Sequence, residues 1–197
     1  AAADERPTPG WAKPQAWDER PSFEGTDDRT WLGFFGGDLD GIIEHLDHLQ
    51  ALGVTTLYTT PVFPGESNHR YNASTFDEVD PLLGGNEAYA RLADALVARG
   101  MHLIGDLTAN HTGDTHEWFT SARADDEAPT RDWYYFHDDA TGDDARYETW
   151  MGYPTLPKLD HTDPGMRAAM IEGLSPPSAA GWGRLTSSTA GGSTWPT

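Results

Sequence analysis

The sequence of 197 residues predicts an α/β fold in which parallel strands alternate with helices. Two segments have apolar residues at helical spacing, and each is followed by a short apolar run typical of a buried strand. A single glycine, Gly53 or Gly100, separates each helix from the strand after it. Units of this kind, with short helix-to-strand turns, imply parallel pairing and a right-handed crossover.

The first helix and strand cover residues 39–59. Asp38 is a predicted N-cap and Gly53 ends the helix. The strand at 54–59 is rich in β-branched residues and stops before Pro61. The apolar stripe of the helix consists of Leu39, Ile42, Ile43, Leu46, Leu49 and Leu52.

The second helix and strand cover residues 87–107. The spacing predicts a helix over 87–99 and a strand over 101–107. The helix face that we expect to pack against the sheet carries Tyr89, Leu92, Leu96 and Val97.

Charge and composition exclude several classes of protein. The chain has 32 acidic and 13 basic residues, a formal net charge of −19, which argues against binding to nucleic acid or to an anionic membrane surface. No apolar run approaches the roughly 18 residues of a membrane-spanning helix. The chain has no cysteine, so disulfides and zinc–thiolate sites are excluded.

The two ends differ from the middle of the chain. Residues 1–30 contain several prolines and no periodicity, and we interpret them as an irregular segment. Residues 172–197 form an atypical tail rich in Ser, Gly and Thr. Composition leaves two interpretations of this tail open: a flexible linker, and a frameshifted or artificially terminated segment.

Two long loops follow the predicted strands. The first covers residues 60–85 and contains the polar run 68–72, Asn-His-Arg-Tyr-Asn. The second follows Asp106 and begins with Asn110 and His111. Because α/β folds form their active sites from loops at the carboxyl ends of the strands, we expect the functional residues here.

Four of these segments resemble one family, in the right order along the chain. Residues 106–111, Asp-Leu-Thr-Ala-Asn-His, resemble the first signature region of the α-amylase superfamily, glycoside hydrolase family 13. Residues 35–42 resemble the stretch that leads into that family's second barrel strand, and 69–71, His-Arg-Tyr, the segment that places a tyrosine under the sugar. Residues 156–160, Leu-Pro-Lys-Leu-Asp, are similar to the region that marks the neopullulanase, cyclomaltodextrinase and maltogenic amylase group.

The resemblance implies an incomplete (β/α)8 TIM barrel, holding about the second and third βα units, with the start of the domain inserted after the third strand. Residues 31–111 would then be the partial barrel, and 112–171 the protruding inserted domain. The irregular segment 1–30 would precede them, and the tail 172–197 would follow.

The resemblance also implies roles for particular residues. Tyr71 would stack on the sugar ring next to the scissile bond, and His111 would hydrogen-bond hydroxyls of that sugar. His69 and Lys158 would also bind substrate, and Asp106 would be mainly structural. Asn110 would help join the barrel to the inserted domain through a calcium ion, with a turn-forming asparagine as the alternative.

The chain departs from the family pattern at three points. Asn72 stands where the group usually has aspartate, and Asp160 where it has asparagine. The catalytic aspartate and glutamate of the family lie on its fourth and fifth strands, so we expect this chain to lack the catalytic carboxylates. Glu148 and Asp160 are acids without an assigned role, and we interpret them as solvated.

The predicted function is therefore that of a fragment of a retaining α-glucan hydrolase, acting on maltodextrins, cyclodextrins or pullulan and inactive alone. Two alternatives remain: a non-catalytic carbohydrate-binding remnant, and a calcium-binding structural domain. The resemblance allows a homodimer for the full-length relative, and it favours a cytoplasmic location without excluding secretion.

Overall fold

Short parallel strands and helices alternate along the chain, as the sequence predicts. The structure is a computed structural model, and it describes residues 8–19 and 29–173. In these ranges the order of elements is β1 (Lys13–Pro14), β2 (Gly33–Phe34), α1 (Leu39–Glu44), α2 (Leu46–Ala51), β3 (Thr56–Thr59), α3 (Gly85–Val97), β4 (His102–Gly105), α4 (Glu117–Ala124) and α5 (Pro164–Gly173). The predicted tail from residue 174 onward lies outside the described residues.

Strands β3 and β4 pair in parallel, which confirms the predicted arrangement. Thr56 lies opposite His102, and Thr59 lies opposite Gly105. Both strands are shorter than predicted, because residues 54–55 and 106–107 flank the paired region without being part of it. The carboxyl ends of the two strands therefore meet at one edge, where the long loops leave the sheet.

The predicted helix over 39–52 is interrupted at His45. Asp38 caps α1 as predicted, since its carboxylate accepts a hydrogen bond from the amide of Gly41 at 2.7 Å. His45 leaves the helical conformation with φ −107° and ψ 5°, and its Nδ1 lies 2.8 Å from the carbonyl oxygen of Gly41. This local contact interrupts the hydrogen-bond ladder, so the prediction of one continuous helix was wrong.

The first hydrophobic cluster joins α1, α2 and α3 to the sheet. Of the predicted α3 face, Val97 is exposed, because it lies about 100° around the helix from Leu96 and off the apolar stripe. Leu52 is exposed as well, since α2 ends at Ala51. The buried members of the cluster are Leu39, Leu46, Val62, Val79, Ala88, Tyr89, Leu92, Leu96 and Met101.

The second cluster lies under the loop after β3 and under the segment from 112 onward. Its buried members are Phe63, Ala73, Phe76, Phe119, Ala122, Tyr134, Leu159, Met166 and Met170. The cluster therefore takes residues from both sides of the predicted domain boundary at 111/112. The boundary itself stays a prediction.

The segment interpreted as irregular, residues 1–30, contains a strand. Lys13 pairs with Gly33 and Pro14 with Phe34, both in parallel, and the amide of Gln15 donates to the carbonyl of Phe34. A strand of two residues has no periodicity to detect, and its partner is about 20 residues away in sequence. These two facts explain why the sequence pattern did not reveal it.

The two faces of the β3–β4 pair differ in their surroundings. Leu57 and Leu103 point to the helices and pack against the first cluster. Tyr58 and Ile104 point to the other face and are 57% and 51% exposed. In the described part of the chain the helices thus cover one face of the strand pair, and the other face is partly exposed.

Among the described residues, no helix is both long enough and apolar enough to span a bilayer.

Candidate functional site

The candidate site begins with a turn in which a non-glycine residue has a left-handed backbone. Arg70 has φ 56°, and its Nε donates to Asp80 Oδ2 at 2.8 Å. Both side chains are buried, and the other carboxylate oxygen of Asp80 accepts from the amide of Leu82 at 2.8 Å. The left-handed region costs a side chain about 1 kcal/mol, and this ion pair stabilises the turn together with the hydrogen bond from the Arg70 amide to the Ser67 hydroxyl at 3.0 Å. The turn directs Tyr71 towards the carboxyl edge of the sheet.

Tyr71 and Asp106 are joined across the edge by a short hydrogen bond. The Tyr71 hydroxyl donates to Asp106 Oδ2 at 2.6 Å. This bond is the main reason that the pKa of Tyr71 is raised to about 12 and that the pKa of Asp106 is lowered. Asp106 is therefore a carboxylate at neutral pH, and its hydrogen bond restrains the tyrosine ring, whose side chain is only half-buried.

His69 has one ring nitrogen that is free for a ligand. The amide of Tyr71 donates to His69 Nδ1 at 3.1 Å, so Nδ1 is an acceptor and the proton lies on Nε2. Within the described ranges, Nε2 of His69 has no hydrogen-bond partner. Burial, followed by the charges of Arg70 and His111, lowers the pKa of His69, so the ring is neutral at pH 7. His69 can thus donate a hydrogen bond beside the Tyr71 ring, whose centroid is 5.7 Å away.

His111, in contrast, uses both ring nitrogens inside the protein. Its Nδ1 lies 3.1 Å from the side-chain amide nitrogen of Asn110, and its Nε2 lies 3.1 Å from the carbonyl oxygen of Tyr71. The amide can only donate and the carbonyl can only accept, so Nε2 carries the proton. Burial lowers the pKa of His111. The predicted contact with a sugar hydroxyl stays a prediction, and it would require the Asn110 contact to open.

Asn72, which stands where the resembled group usually has aspartate, lies inside the loop after β3. Its side chain is buried, and its Oδ1 accepts a hydrogen bond from the Ser67 hydroxyl. Its backbone packs against Gly113, where a β-carbon would approach the carbonyl oxygen of Asn72 to 2.4 Å. Asn72 therefore holds the loop against the following segment.

Lys158 lies beside His111 and next to an aromatic ring. The backbones of Lys158 and His111 form an antiparallel β-bridge. The Nζ atom of Lys158 is 5.3 Å from the centre of the Tyr135 ring. The hydroxyl of Tyr135 donates to Asp160 at 2.9 Å. Burial raises the pKa of Asp160, but hydrogen bonds from Thr162 and Tyr135 outweigh it and lower the pKa overall. Asp160 thus accepts hydrogen bonds that stabilise the turn at residues 160–162, while its carboxylate stays close to solvent.

Asn110 is the residue at which the family resemblance predicts a calcium ion. Calcium takes about six to eight oxygen ligands. Across residues 8–19 and 29–173, no group of three or more His, Cys, Asp or Glu side chains is arranged to hold a metal ion. The backbone carbonyl of Asn110 already accepts from the amide of Leu159. The calcium site stays a prediction, and no step of the chemistry is derived from it.

Three aromatic residues near the site were not singled out from the sequence. Tyr58 on β3 is close enough to Asp106 for hydrogen bonding to that carboxylate to raise the pKa of its hydroxyl. Its position on a strand, next to Leu57 and therefore on the face away from the helices, was a usable signal. Trp150 and Tyr153 lie in a segment without periodicity, and only their contacts in space reveal them.

Parallel strands, helices on one face and a polar and aromatic site at the carboxyl edge are the arrangement of an α/β enzyme scaffold, in which active sites lie at the carboxyl ends of the strands. The family model described as the alpha amylase catalytic domain matches residues 20–170. The chain belongs to this family, as its motifs had indicated.

Individual relatives agree with this assignment. The chain is 32% identical to a cyclomaltodextrinase of a Bacillus species over 152 residues, which are 75% of this chain and 27% of that protein. It is 33% identical to the intracellular maltogenic amylase of Bacillus subtilis (strain 168) over 149 residues, 75% of this chain and 25% of that protein. The type III pullulan hydrolase from Thermococcus kodakarensis superposes with a TM-score of 0.75 at 30% identity, covering 88% of this chain and 29% of that one. The chain thus spans about a quarter of the length of the curated relatives.

Proposed function

We propose that this chain is the sugar-holding part of a retaining hydrolase of α-glucans such as maltodextrins, cyclodextrins or pullulan. The observation that carries the proposal is the hydrogen bond between Tyr71 and Asp106, which joins two separate family motifs at one edge of the sheet. The names of the relatives, a cyclomaltodextrinase, a maltogenic amylase and a pullulan hydrolase, support this class of substrate.

The proposed contacts follow from the chemistry of the site. The partly exposed ring of Tyr71 offers an apolar face to the C–H face of a glucose ring, held at a fixed tilt by Asp106. The protonated Nε2 of neutral His69 donates to a sugar hydroxyl. Lys158, whose backbone pairs with that of His111, contacts hydroxyls farther along the oligosaccharide. His111 mainly supports the backbone of Tyr71.

The bond-breaking step needs groups in addition to these. In retaining hydrolysis two carboxyl groups lie about 5–5.5 Å apart around the glycosidic bond. One protonates the leaving oxygen while the other attacks the anomeric carbon and forms a covalent intermediate, which water then hydrolyses. In the described part of the chain, Tyr71 is hydrogen-bonded to one carboxylate, that of Asp106, which is engaged in holding the ring. We therefore assign the reacting carboxylates to other parts of the catalytic domain and expect no turnover by this chain alone.

The finer assignments belong to the same proposal. We assign β3 and β4 to the second and third strands of an eight-stranded barrel, and residues 112–171 to the start of the inserted domain. A homodimer for the full-length relative, a cytoplasmic location and a calcium ion at Asn110 are parts of the proposal that the family resemblance supports.

The test is calorimetry of maltotriose binding to the 197-residue chain. We expect saturable binding, no release of glucose or maltose, and a Kd at least about tenfold higher for Tyr71→Ala, since the stacking surface is lost. Tyr71→Phe keeps the ring but loses the bond to Asp106, so its Kd should rise by about threefold.

The control for these variants is Trp17→Ala. Trp17 is an exposed aromatic residue beside Gly37 and Leu57, on the helix side of the sheet. This variant should bind maltotriose like the wild type. Binding unaffected by Tyr71→Ala, or no maltotriose binding by the wild type, would overturn the proposed function.

A further inference from the structure

The face of the strand pair that is turned away from the helices brings a second tyrosine to the Asp106 carboxylate. Tyr58 on β3 lies opposite Ile104 on β4, so these two side chains share one face of the sheet. Asp106 follows Ile104 by two residues and lies on that same face, because side chains alternate along a strand. The amide of Asp106 donates to the carbonyl of Thr59 at 3.1 Å, so the pairing extends to this residue. Tyr58 and Asp106 are therefore diagonal neighbours.

Two tyrosine hydroxyls from separate segments converge on Asp106. The Tyr71 hydroxyl donates from the loop after β3 at 2.6 Å. The Tyr58 hydroxyl approaches from the strand itself, and hydrogen bonding to the carboxylate raises the pKa of Tyr58. Hydrogen bonds from Tyr71, Tyr58 and the backbone at Leu107 together lower the pKa of Asp106, although desolvation opposes them. An ionised carboxylate has about four lone-pair sites, so it can accept all of these donors.

A second donor changes how firmly Asp106 can hold Tyr71. The terminal torsion of an aspartate side chain has a broad energy profile, so a single hydrogen bond leaves the carboxylate plane free to turn, and the Tyr71 ring can follow. A second hydrogen bond restrains this torsion. Tyr58 belongs to the paired part of β3, whereas Tyr71 lies in a loop. The strand therefore provides the fixed end of the network.

We propose that Tyr58 is a positioning residue of the sugar site, which acts through Asp106 to hold the Tyr71 ring at the tilt on which a glucose ring stacks. The inference rests on the proposed function, because the sugar is taken to lie on Tyr71. The effect of Tyr58 passes through one carboxylate, so it depends on the bond between Tyr71 and Asp106. A direct contact between Tyr58 and the sugar would act independently of that bond.

The test is a double-mutant cycle, measured by calorimetry of maltotriose binding to the 197-residue chain. Tyr58→Phe keeps the ring and removes the hydroxyl, so its Kd should rise by about threefold. Tyr58→Phe/Tyr71→Phe should bind no more weakly than Tyr71→Phe, because no bond is left through which Tyr58 can act. Independent effects would instead raise the Kd of the double variant by roughly ninefold, and this result would overturn the inference.

Carboxyl 13C NMR tests the network without sugar. In Tyr58→Phe the pKa of Asp106 should rise towards the ordinary range of an aspartate, because one donor to the charged form is lost. Ile104→Val is the matched control, since Ile104 is half exposed on the same face and has no hydroxyl. It should leave both the Asp106 pKa and the Kd for maltotriose unchanged.

The outcomes separate this inference from the proposed function. The Tyr58 ring is 57% exposed and is kept in Tyr58→Phe, so circular dichroism should show a folded variant. An unfolded variant would overturn the inference, because Tyr58 would then support the fold and not the site. An unchanged Asp106 pKa in Tyr58→Phe would overturn the inference and leave the proposed function standing. A wild type that does not bind maltotriose would overturn both, whatever the titration shows.

Discussion

Replacing Arg70 with alanine should lower the free energy of unfolding by about 3–5 kcal/mol. Arg70 and Asp80 are 6% and 3% exposed, and their charged atoms are 2.8 Å apart. The substitution leaves the carboxylate of Asp80 buried without its counter-charge, which costs far more than the loss of an exposed pair. Urea denaturation, followed by circular dichroism, measures the change.

The matched control is Arg91→Ala. Arg91 also pairs with an aspartate at 2.8 Å, but the side chains of Arg91 and Asp40 are 53% and 33% exposed. Solvent screens such a pair, so its loss should cost less than about 1 kcal/mol. Equal losses for the two variants would contradict the view that burial makes the Arg70–Asp80 pair important.

The same substitution should also affect the sugar site. Arg70 directly precedes Tyr71, and the ion pair is one of the contacts that hold its left-handed backbone. We expect Arg70→Lys, which keeps the charge but not the planar guanidinium, to recover part of both stability and maltotriose binding. A variant that regains stability without regaining binding would show that the charge alone does not set the position of Tyr71.

Stability should fall by about 3 kcal/mol as the pH is lowered from 7 to 4, through protonation of His116 alone. His116 is 4% exposed and packed between Phe76 and Trp118, with ring centroids 5.3 and 4.5 Å away. Burial lowers its pKa to about 4, against the opposing charge of Asp77. In the unfolded chain, His116 takes up a proton near pH 6.5, before the folded protein does. The contribution of neutral His116 to the free energy of unfolding is therefore complete above pH 6.5, and it is lost as the pH falls towards 4.

His116→Asn isolates this effect. His116 caps α4 by accepting from the amide of Trp118 at 3.2 Å, and asparagine is a good N-cap that does not titrate. The variant should therefore be less sensitive to acid than the wild type by about 3 kcal/mol across this range. Denaturant midpoints at several pH values give the comparison. Parallel stability curves for the two proteins would exclude His116 as the acid-sensitive group.

The order of helices and strands could be predicted from the sequence because it depends on local patterns. The helical stripe, the N-cap at Asp38 and the glycines that end the helices are visible within a few residues. The break at His45 was not visible, because it depends on a side chain competing for a backbone carbonyl within an otherwise regular stripe. The pairing of Lys13 with Gly33 depends on contacts distant in sequence.

In the candidate site, too, some features follow from local sequence motifs and others depend on contacts in space. Motifs indicated Tyr71, Asp106 and His111, and the structure joins these three through hydrogen bonds. Which histidine nitrogen is free could not be predicted, because it depends on the partners that each ring meets in space. His69 keeps a free donor, whereas both ring nitrogens of His111 are used, and no local pattern distinguishes the two.

A crystal structure of the chain with maltohexaose tests the central claim most directly. We expect one glucose ring to lie on the face of Tyr71, with the Tyr71 hydroxyl still bound to Asp106 and a sugar hydroxyl within hydrogen-bond distance of His69 Nε2. An oligosaccharide bound elsewhere, with the Tyr71 ring left uncovered, would contradict the account.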